Sequence, residues 1–232
     1  MNSRVVVPVV ATVGLGLVVA VLVDSIFNRG GGAEGAIITH LKEREASGLE
    51  IATRTGVLKS DKASFQRISV VIDADGQGAL VSSTLDFVGR FERVGSPPRV
   101  TKVSSLGLET ARFVNHDGTW SPAVMPANGG EPASEAPRLA AIVDALEGRR
   151  QAIEGGASVE ADGGIPFPDV ALPRSYRAES WFIRSERAEV EVAEDSRLEG
   201  RSPDRPVDEK RTTRLSLEPD TSGSFRFPGG TM

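Results

Sequence analysis

Cysteine is absent from this chain, and histidine is nearly so. Without cysteine there is no disulfide, no thiol nucleophile and no thiolate ligand for zinc or an iron–sulfur cluster. The two histidines, His40 and His116, have no partner at the spacing of a metal motif such as H-E-x-x-H. The sequence also lacks a G-x-S-x-G nucleophile elbow and the Lys-Ser/Thr pair of a P-loop. We therefore expect a protein that is not an enzyme and that holds no cofactor.

Positive charge is also in deficit, since 27 Lys and Arg face 32 Asp and Glu, for a net charge of −5. Proteins that bind nucleic acid usually carry a basic patch or stripe. We expect no nucleic-acid partner. A chain of 232 residues is long enough for one large domain or two small ones.

Charge is wholly absent from one long segment, residues 5–23 (VVVPVVATVGLGLVVAVLV). A helix of this length spans about 28 Å, close to the hydrocarbon thickness of a bilayer. The alternative is a cleaved signal peptide, but its apolar region is shorter, and the following residues DSIFNRGGG contain no small-x-small cleavage site. The pattern predicts an uncleaved transmembrane anchor over residues 1–28.

The charges that flank this segment predict its orientation. The N-terminal tail carries Arg4 and the α-amine, whereas Asp24 and Arg29 cancel on the other side. The positive-inside rule then places the N-terminus in the cytoplasm and the C-terminal portion in the periplasm, in a bacterial inner membrane. Within the helix, Thr12, Gly16 and Ala20 form a face of small residues that allows close packing against other membrane helices. Small residues are also common in any membrane helix, so both readings stay open.

The remaining chain alternates between helical and β-like patterns. A helical pattern covers residues 36–46, and a second begins at Leu139 and runs to about Ile153. β-like segments bounded by turn residues follow each of them. The predicted organisation is an anchor over residues 1–28, a first α+β module over 29–120, a linker over 121–137 and a second α+β module over 138–232.

The similar order of patterns in the two halves of the chain indicates an internal duplication. Residues 69–90 can be set over residues 180–201 without a gap, with five identical positions. Segments before and after this pair align in the same order. The predicted fold class is therefore α+β, a single transmembrane helix followed by two similar helix-plus-antiparallel-sheet modules. Helix-plus-curved-sheet modules such as the NTF2-like or cystatin-like folds suit this order, an analogy of fold that implies no function.

One short segment, residues 70–81 (VVIDADGQGALV), raises the question of a metal. Asp73, Asp75 and Gln77 match the first oxygen-ligand positions of a calcium EF-hand loop. The position that requires a bidentate glutamate is Thr84, and the flanking residues are β-like rather than helical. The segment therefore favours a β-hairpin with a type I′ turn at Asp75-Gly76, and calcium binding is the weaker alternative.

Together these features predict a non-enzymatic, single-pass membrane protein, an accessory or structural subunit of a larger membrane complex. Its expected partners are the lipid bilayer and other membrane proteins, contacted through the N-terminal helix and the soluble modules. The alternative is a membrane-tethered small-molecule-binding module or enzyme with a pocket between helix and curved sheet. Converging polar side chains in such a pocket would favour the alternative, and a packed apolar interior would favour the subunit.

Overall fold

Nine strands and two helices make up the part of the chain that the structure, a computed structural model, describes. That part comprises residues 32–95, 99–124, 133–154, 171–186, 189–201, 206–221 and 224–228. The helices are α1 (Ala33–Ser47) and α2 (Pro137–Glu154), and the strands are β1 (Glu50–Ala52), β2 (Gly56–Ile72), β3 (Gly78–Arg93), β4 (Val100–His116), β5 (Thr119–Ala123), β6 (Ala171–Glu186), β7 (Glu189–Arg201), β8 (Pro206–Pro219) and β9 (Phe225–Arg226).

Six long strands form two antiparallel meanders, β2–β3–β4 and β6–β7–β8. A parallel pairing joins them, in which Lys102 to Gly107 of β4 lie beside Ser180 to Ser185 of β6. The strand order is β1-β2-β3-β4-β6-β7-β8-β9, and β5 pairs with the other end of β4. All nine strands therefore belong to one sheet.

The alternation of residues along each long strand gives the sheet two different faces. In β3, Val81, Leu85, Phe87 and Phe91 are buried on one side, and the even-numbered residues between them point the other way. The buried side chains form the inner face, which packs against both helices. The opposite face is called the outer face below.

Both helices lie on the inner face and share one core with it. Helix α1 buries only Ile37 and Leu41 and ends at Gly48, whose φ of 87° suits glycine. Helix α2 is buried on almost every side over its first three turns, as expected of a helix enclosed by other elements. The core combines α1, α2 and strands of both meanders.

Two carboxylates fix the position of α2 against the strands. Glu109 on β4 accepts hydrogen bonds from the backbone N–H groups of Arg138 (2.9 Å) and Leu139 (3.0 Å), at the N-terminus of the helix. A negative charge is favourable there, because the helix dipole is positive at that end. Asp144, within α2, accepts from the N–H groups of Arg54 (2.9 Å) and Thr55 (3.1 Å) in the β1–β2 turn.

The predicted fold class, α+β with a transmembrane helix followed by two similar helix-plus-antiparallel-sheet modules, is wrong. The helical patterns at residues 36–46 and 139–153 do lie within α1 and α2, but the strands of both halves merge into a single nine-stranded sheet. The reason is the parallel β4–β6 pairing, which brings together strands far apart in the sequence. The division at residues 120 and 137 stays a prediction.

The predicted localisation, a single-pass protein of the inner membrane with a periplasmic C-terminal portion, is also corrected. Among the helices that the structure describes, none has the length and apolar character needed to cross a bilayer. Residues 5–23, with Thr12, Gly16 and Ala20, lie outside the described residues. The membrane assignment is therefore not kept, and the packing role of those three residues is untested.

The close approach of β4 and β6 requires glycine at position 107, which gives a first prediction. A Cβ atom on Gly107 would lie 2.7 Å from Ser185 Cβ and 3.0 Å from Ser185 O. We expect Gly107→Val to lower the free energy of unfolding by about 1–3 kcal/mol, because the strands have to move apart. Urea unfolding measures the change.

Gly148 provides the matched control, because it lies in α2 with no atom within 4 Å of the position its Cβ would take. Gly148→Ala should raise stability by about 0.4–1 kcal/mol, since alanine restricts the unfolded chain. An unchanged unfolding midpoint for Gly107→Val would contradict the tight β4–β6 contact.

Candidate functional site

The outer face carries exposed apolar side chains at its centre, where β3, β4 and β6 lie side by side. Leu106 is 53% exposed and Phe182 is 51% exposed, and Val88 and Leu108 are each about two-fifths exposed. In the strand register, Val88 lies opposite Ser104, and Ser104 lies beside Phe182. These four residues, Val88, Leu106, Leu108 and Phe182, are called the outer patch.

A shallow trough of about 730 Å³ runs across this face from β3 to β8. Besides Val88, Leu106 and Phe182 of the outer patch, charged side chains of both signs line it, namely Asp86, Arg184, Glu191 and Arg214. Arg184 lies between Leu106 and Glu191 in the register. Two acids and two arginines thus border an apolar centre, an arrangement typical of protein interfaces.

A second depression, of about 450 Å³, lies at the end of the sheet where β4 and β6 separate. It is called the arginine slot and is lined by Arg99, Val100, Thr101, Arg150, Tyr176, Arg177, Ala178, Arg197 and Glu199. Thr101 Oγ1 donates to the carbonyl of Ala178 (3.3 Å) across its inner end. Four guanidinium groups and a single carboxylate therefore face this space.

Ion pairs hold three of these arginines in place. Arg150 is nearly fully buried and donates to Glu147 (2.7 and 2.5 Å) and Glu154 (2.6 Å). Arg99 also pairs with Glu154. Arg197 donates from Nε to Asp208 (2.7 Å), which raises the pKa of Arg197 and lowers that of Asp208.

A buried polar cluster adjoins the slot. Glu194 on β7 is 1% exposed and accepts hydrogen bonds from Trp181 Nε1 (2.9 Å), Arg149 Nη1 (2.9 Å) and the hydroxyl of Tyr176. Burial raises the pKa of Tyr176, and the negative charge of Glu194 raises it further. Three donors satisfy the Glu194 carboxylate, whereas Arg149 Nε is buried without a hydrogen-bond partner among the described residues.

The cluster depends on a β-bulge in β6. Tyr176 and Trp181 are five positions apart, so a regular strand would place them on opposite faces. The pairing of β6 with β7 shifts between Ala178 and Ser180, which leaves Glu179 as an extra residue. The shift turns both aromatic side chains to the inner face, where each reaches Glu194.

The residues proposed for calcium lie in the β2–β3 turn. The Asp73 carboxylate pairs with Arg112, and Asp75 Oδ1 accepts from the N–H of Gln77 (2.9 Å). The segment is a hairpin turn, but Gly76 has positive φ (69°) while Asp75 does not. A type I′ turn requires positive φ at both, so that turn type is wrong. Calcium binding at Asp73, Asp75 and Gln77 stays an untested alternative.

The two histidines do not lie together. His40 Nε2 is 3.1 Å from Glu135 Oε1, and its ring meets the edge of Phe113 at 5.5 Å between centroids. His116 is exposed at the end of β4. Within the described ranges, no three or more acidic or histidine side chains are grouped as metal ligands.

The outer patch and the arginine slot were not predicted from the sequence. A signal for the patch was present in β4, where Leu106 and Leu108 are out of phase with the buried Val103, Ala111 and Phe113. Apolar residues on both faces of a strand indicate either burial on both sides or an exposed apolar surface. The slot had no such signal, because its arginines come from four separate segments.

Tyr176 is the one tyrosine of the chain, so its ionisation can be followed directly. Because its pKa is raised in the folded state, its stabilising contribution is complete below pH about 10 and is lost as pH rises further. We expect no tyrosinate absorbance above pH 10 while the protein stays folded, and a normal titration in denaturant. A rise near pH 10 in the folded protein would contradict the buried Tyr176–Glu194 contact.

The chain was also compared with known proteins. No family model matches the chain, and no curated protein matches it. Among solved structures, the chain is similar to one described as an Ntf2 like protein involved in plasmid conjugation, at 10% identity. The match covers 73% of this chain and 75% of that chain, with a TM-score of 0.29. A likeness this low carries no argument about fold or function.

Proposed function

We propose that this protein is a non-enzymatic interaction module, which pairs sheet to sheet with a second copy of itself through the outer patch. The observation that carries the proposal is the exposure of Phe182, Leu106, Leu108 and Val88 in the middle of a broad sheet. A contiguous apolar patch rimmed by charge is a mark of a protein interface.

The composition of the patch fits the energetic centre of an interface. Phe182 is a large rigid side chain that loses little conformational entropy on docking, and Leu106 lies diagonally across from it on the next strand. Burying such groups stabilises a complex by roughly 25 cal/mol per Å² of apolar surface. Arg184 and Glu191 at the rim would exclude water from this centre.

The outer face is broad enough to form the centre of an interface. Five adjacent strands, β3, β4, β6, β7 and β8, span about 19 Å at about 4.8 Å per strand. All five lie side by side over the six paired positions of β4 and β6, which is about 20 Å of strand. The part common to all five strands is therefore about 400 Å², and each meander extends it on its own side towards the roughly 800 Å² that each partner contributes to a stable interface.

The charges around the patch favour a second copy as the partner. Asp86 and Glu191 balance Arg184 and Arg214, so two copies do not confront each other with charges of one sign. A two-fold axis brings the same patch to both sides of the contact. Two sheets can then pack about 10 Å apart, with their strands within about 30° of each other.

The packing of the inner face supports an interaction role over catalysis in a pocket. In the described part of the chain, one continuous set of buried side chains fills the space between the helices and the inner face. The buried carboxylates there, Glu109, Asp144 and Glu194, each accept hydrogen bonds from neighbouring groups. Such groups are committed to the fold.

Substitution at the patch tests the proposal. We expect the protein to sediment as a dimer. Phe182→Asp or Leu106→Asp should weaken dimerisation by about 2 kcal/mol or more, which raises the dissociation constant about 30-fold. The physical reason is that a carboxylate buried at the centre of the interface would have no partner. Analytical ultracentrifugation over a range of concentrations measures the dissociation constant.

Val94→Asp is the matched control, because Val94 is 76% exposed in the turn after β3, away from the patch. It should leave the dissociation constant unchanged. A protein that stays monomeric at every concentration, or a dimer that Phe182→Asp leaves intact, would overturn the proposal.

A further inference from the structure

The arginine slot contains positive charge that acidic side chains do not fully balance. Arg177 on β6 lies directly opposite Arg197 on β7, and Arg197 lies opposite Lys210 on β8. Like charges directly opposite each other in neighbouring strands are unfavourable. Some other group has to offset this row.

Acidic side chains offset only part of the row. Arg197 pairs with Asp208 and with Glu199 (3.5 Å), and Lys210 Nζ lies 3.7 Å from Glu179. Arg177, by contrast, makes no ion pair or hydrogen bond with any side chain in the described residues, and it is exposed at the slot. The guanidinium group of Arg177 thus has free N–H donors and lies next to that of Arg197.

We propose that the arginine slot binds a small ligand bearing oxyanion groups, a phosphate or a carboxylate, with Arg177, Arg197 and Arg99 as its contacts. Guanidinium groups present paired N–H donors that match the oxygens of phosphate and carboxylate. An anion between Arg177 and Arg197 would remove the unfavourable contact that the fold itself leaves.

The shape of the slot distinguishes it from an ordinary charged surface. Its walls come from the start of β4, from β6 and from β7, and the buried Arg150 lies at its base. Tyr176 and Ala178 supply an apolar side to the cavity. A volume of about 450 Å³ lies within the range of small-molecule sites. Arg99, Arg150 and Arg197 each have an acidic partner, so the charge left for a ligand at the slot is that of Arg177.

The slot and the outer patch can be tested separately. Arg177 and Phe182 lie about 16 Å apart along β6. Ligand binding is therefore measured on both the native chain and the Phe182→Asp variant. Equal affinities for the two would show that the slot does not depend on dimerisation.

The probes are inorganic pyrophosphate, orthophosphate and citrate, compared with chloride at equal ionic strength by titration calorimetry and thermal melting. We expect saturable binding of pyrophosphate or citrate and a rise in melting temperature that grows with ligand concentration. The stronger of the two identifies the phosphate or the carboxylate source. Arg177→Gln should weaken that binding at least tenfold. It should not lower the melting temperature of the free protein, since it breaks no described contact and removes the unfavourable Arg177–Arg197 pair.

Arg67→Gln is the matched control, because Arg67 is an exposed arginine on β2, separated from the slot by β3 and β4. It removes the same charge and should leave affinity within about twofold. Binding that does not saturate, or that Arg67→Gln and Arg177→Gln weaken equally, would overturn the proposal, because the anions would then respond only to net charge.

Discussion

The parallel pairing of six residues of β4 with six of β6 is the constraint on which the rest of the structure depends. It joins the two meanders edge to edge, so that one inner face can enclose both helices. It also sets Leu106 and Phe182 on adjacent strands of the outer face. Where the pairing ends, at Lys102 and Ser180, the strands separate and the arginine slot opens. The shared core, the outer patch and the arginine slot thus all follow from the β4–β6 pairing.

Helix α2 illustrates how buried charge specifies position in this protein. Glu109 on β4 binds backbone N–H groups in the first turn of α2, and Asp144 near the middle of α2 binds backbone N–H groups of the β1–β2 turn. Replacing such groups by apolar ones need not lower stability, since desolvating a charge is costly. Their effect is directional, because a shift of α2 along its axis would leave a buried carboxylate without donors.

Local features of this fold could be predicted from the sequence, and long-range ones could not. Helical spacing around Ile37 and Leu41 and the Asp-Gly pair at Asp75-Gly76 depend on neighbouring residues, and both elements are present where expected. Which strand of one half pairs with which strand of the other depends on contacts about 78 residues apart, such as Val103 with Trp181, which no local pattern encodes. The same holds for the two sites. The exposure of Leu106 could be predicted from the alternation of residues along β4, whereas the slot forms only where distant segments meet.

Because of the bulge at Glu179, the number of residues in β6 decides which side chains face the core, as much as their types do. Removing this one residue would restore a regular strand and rotate every side chain that precedes it by half a turn. Tyr176 and Ala178 would then face solvent, and Arg177 would point into the apolar interior. Related chains that keep this architecture are thus free to vary the loops between strands in length, but not the interval from residue 176 to residue 181. That spacing is a signature by which they can be recognised.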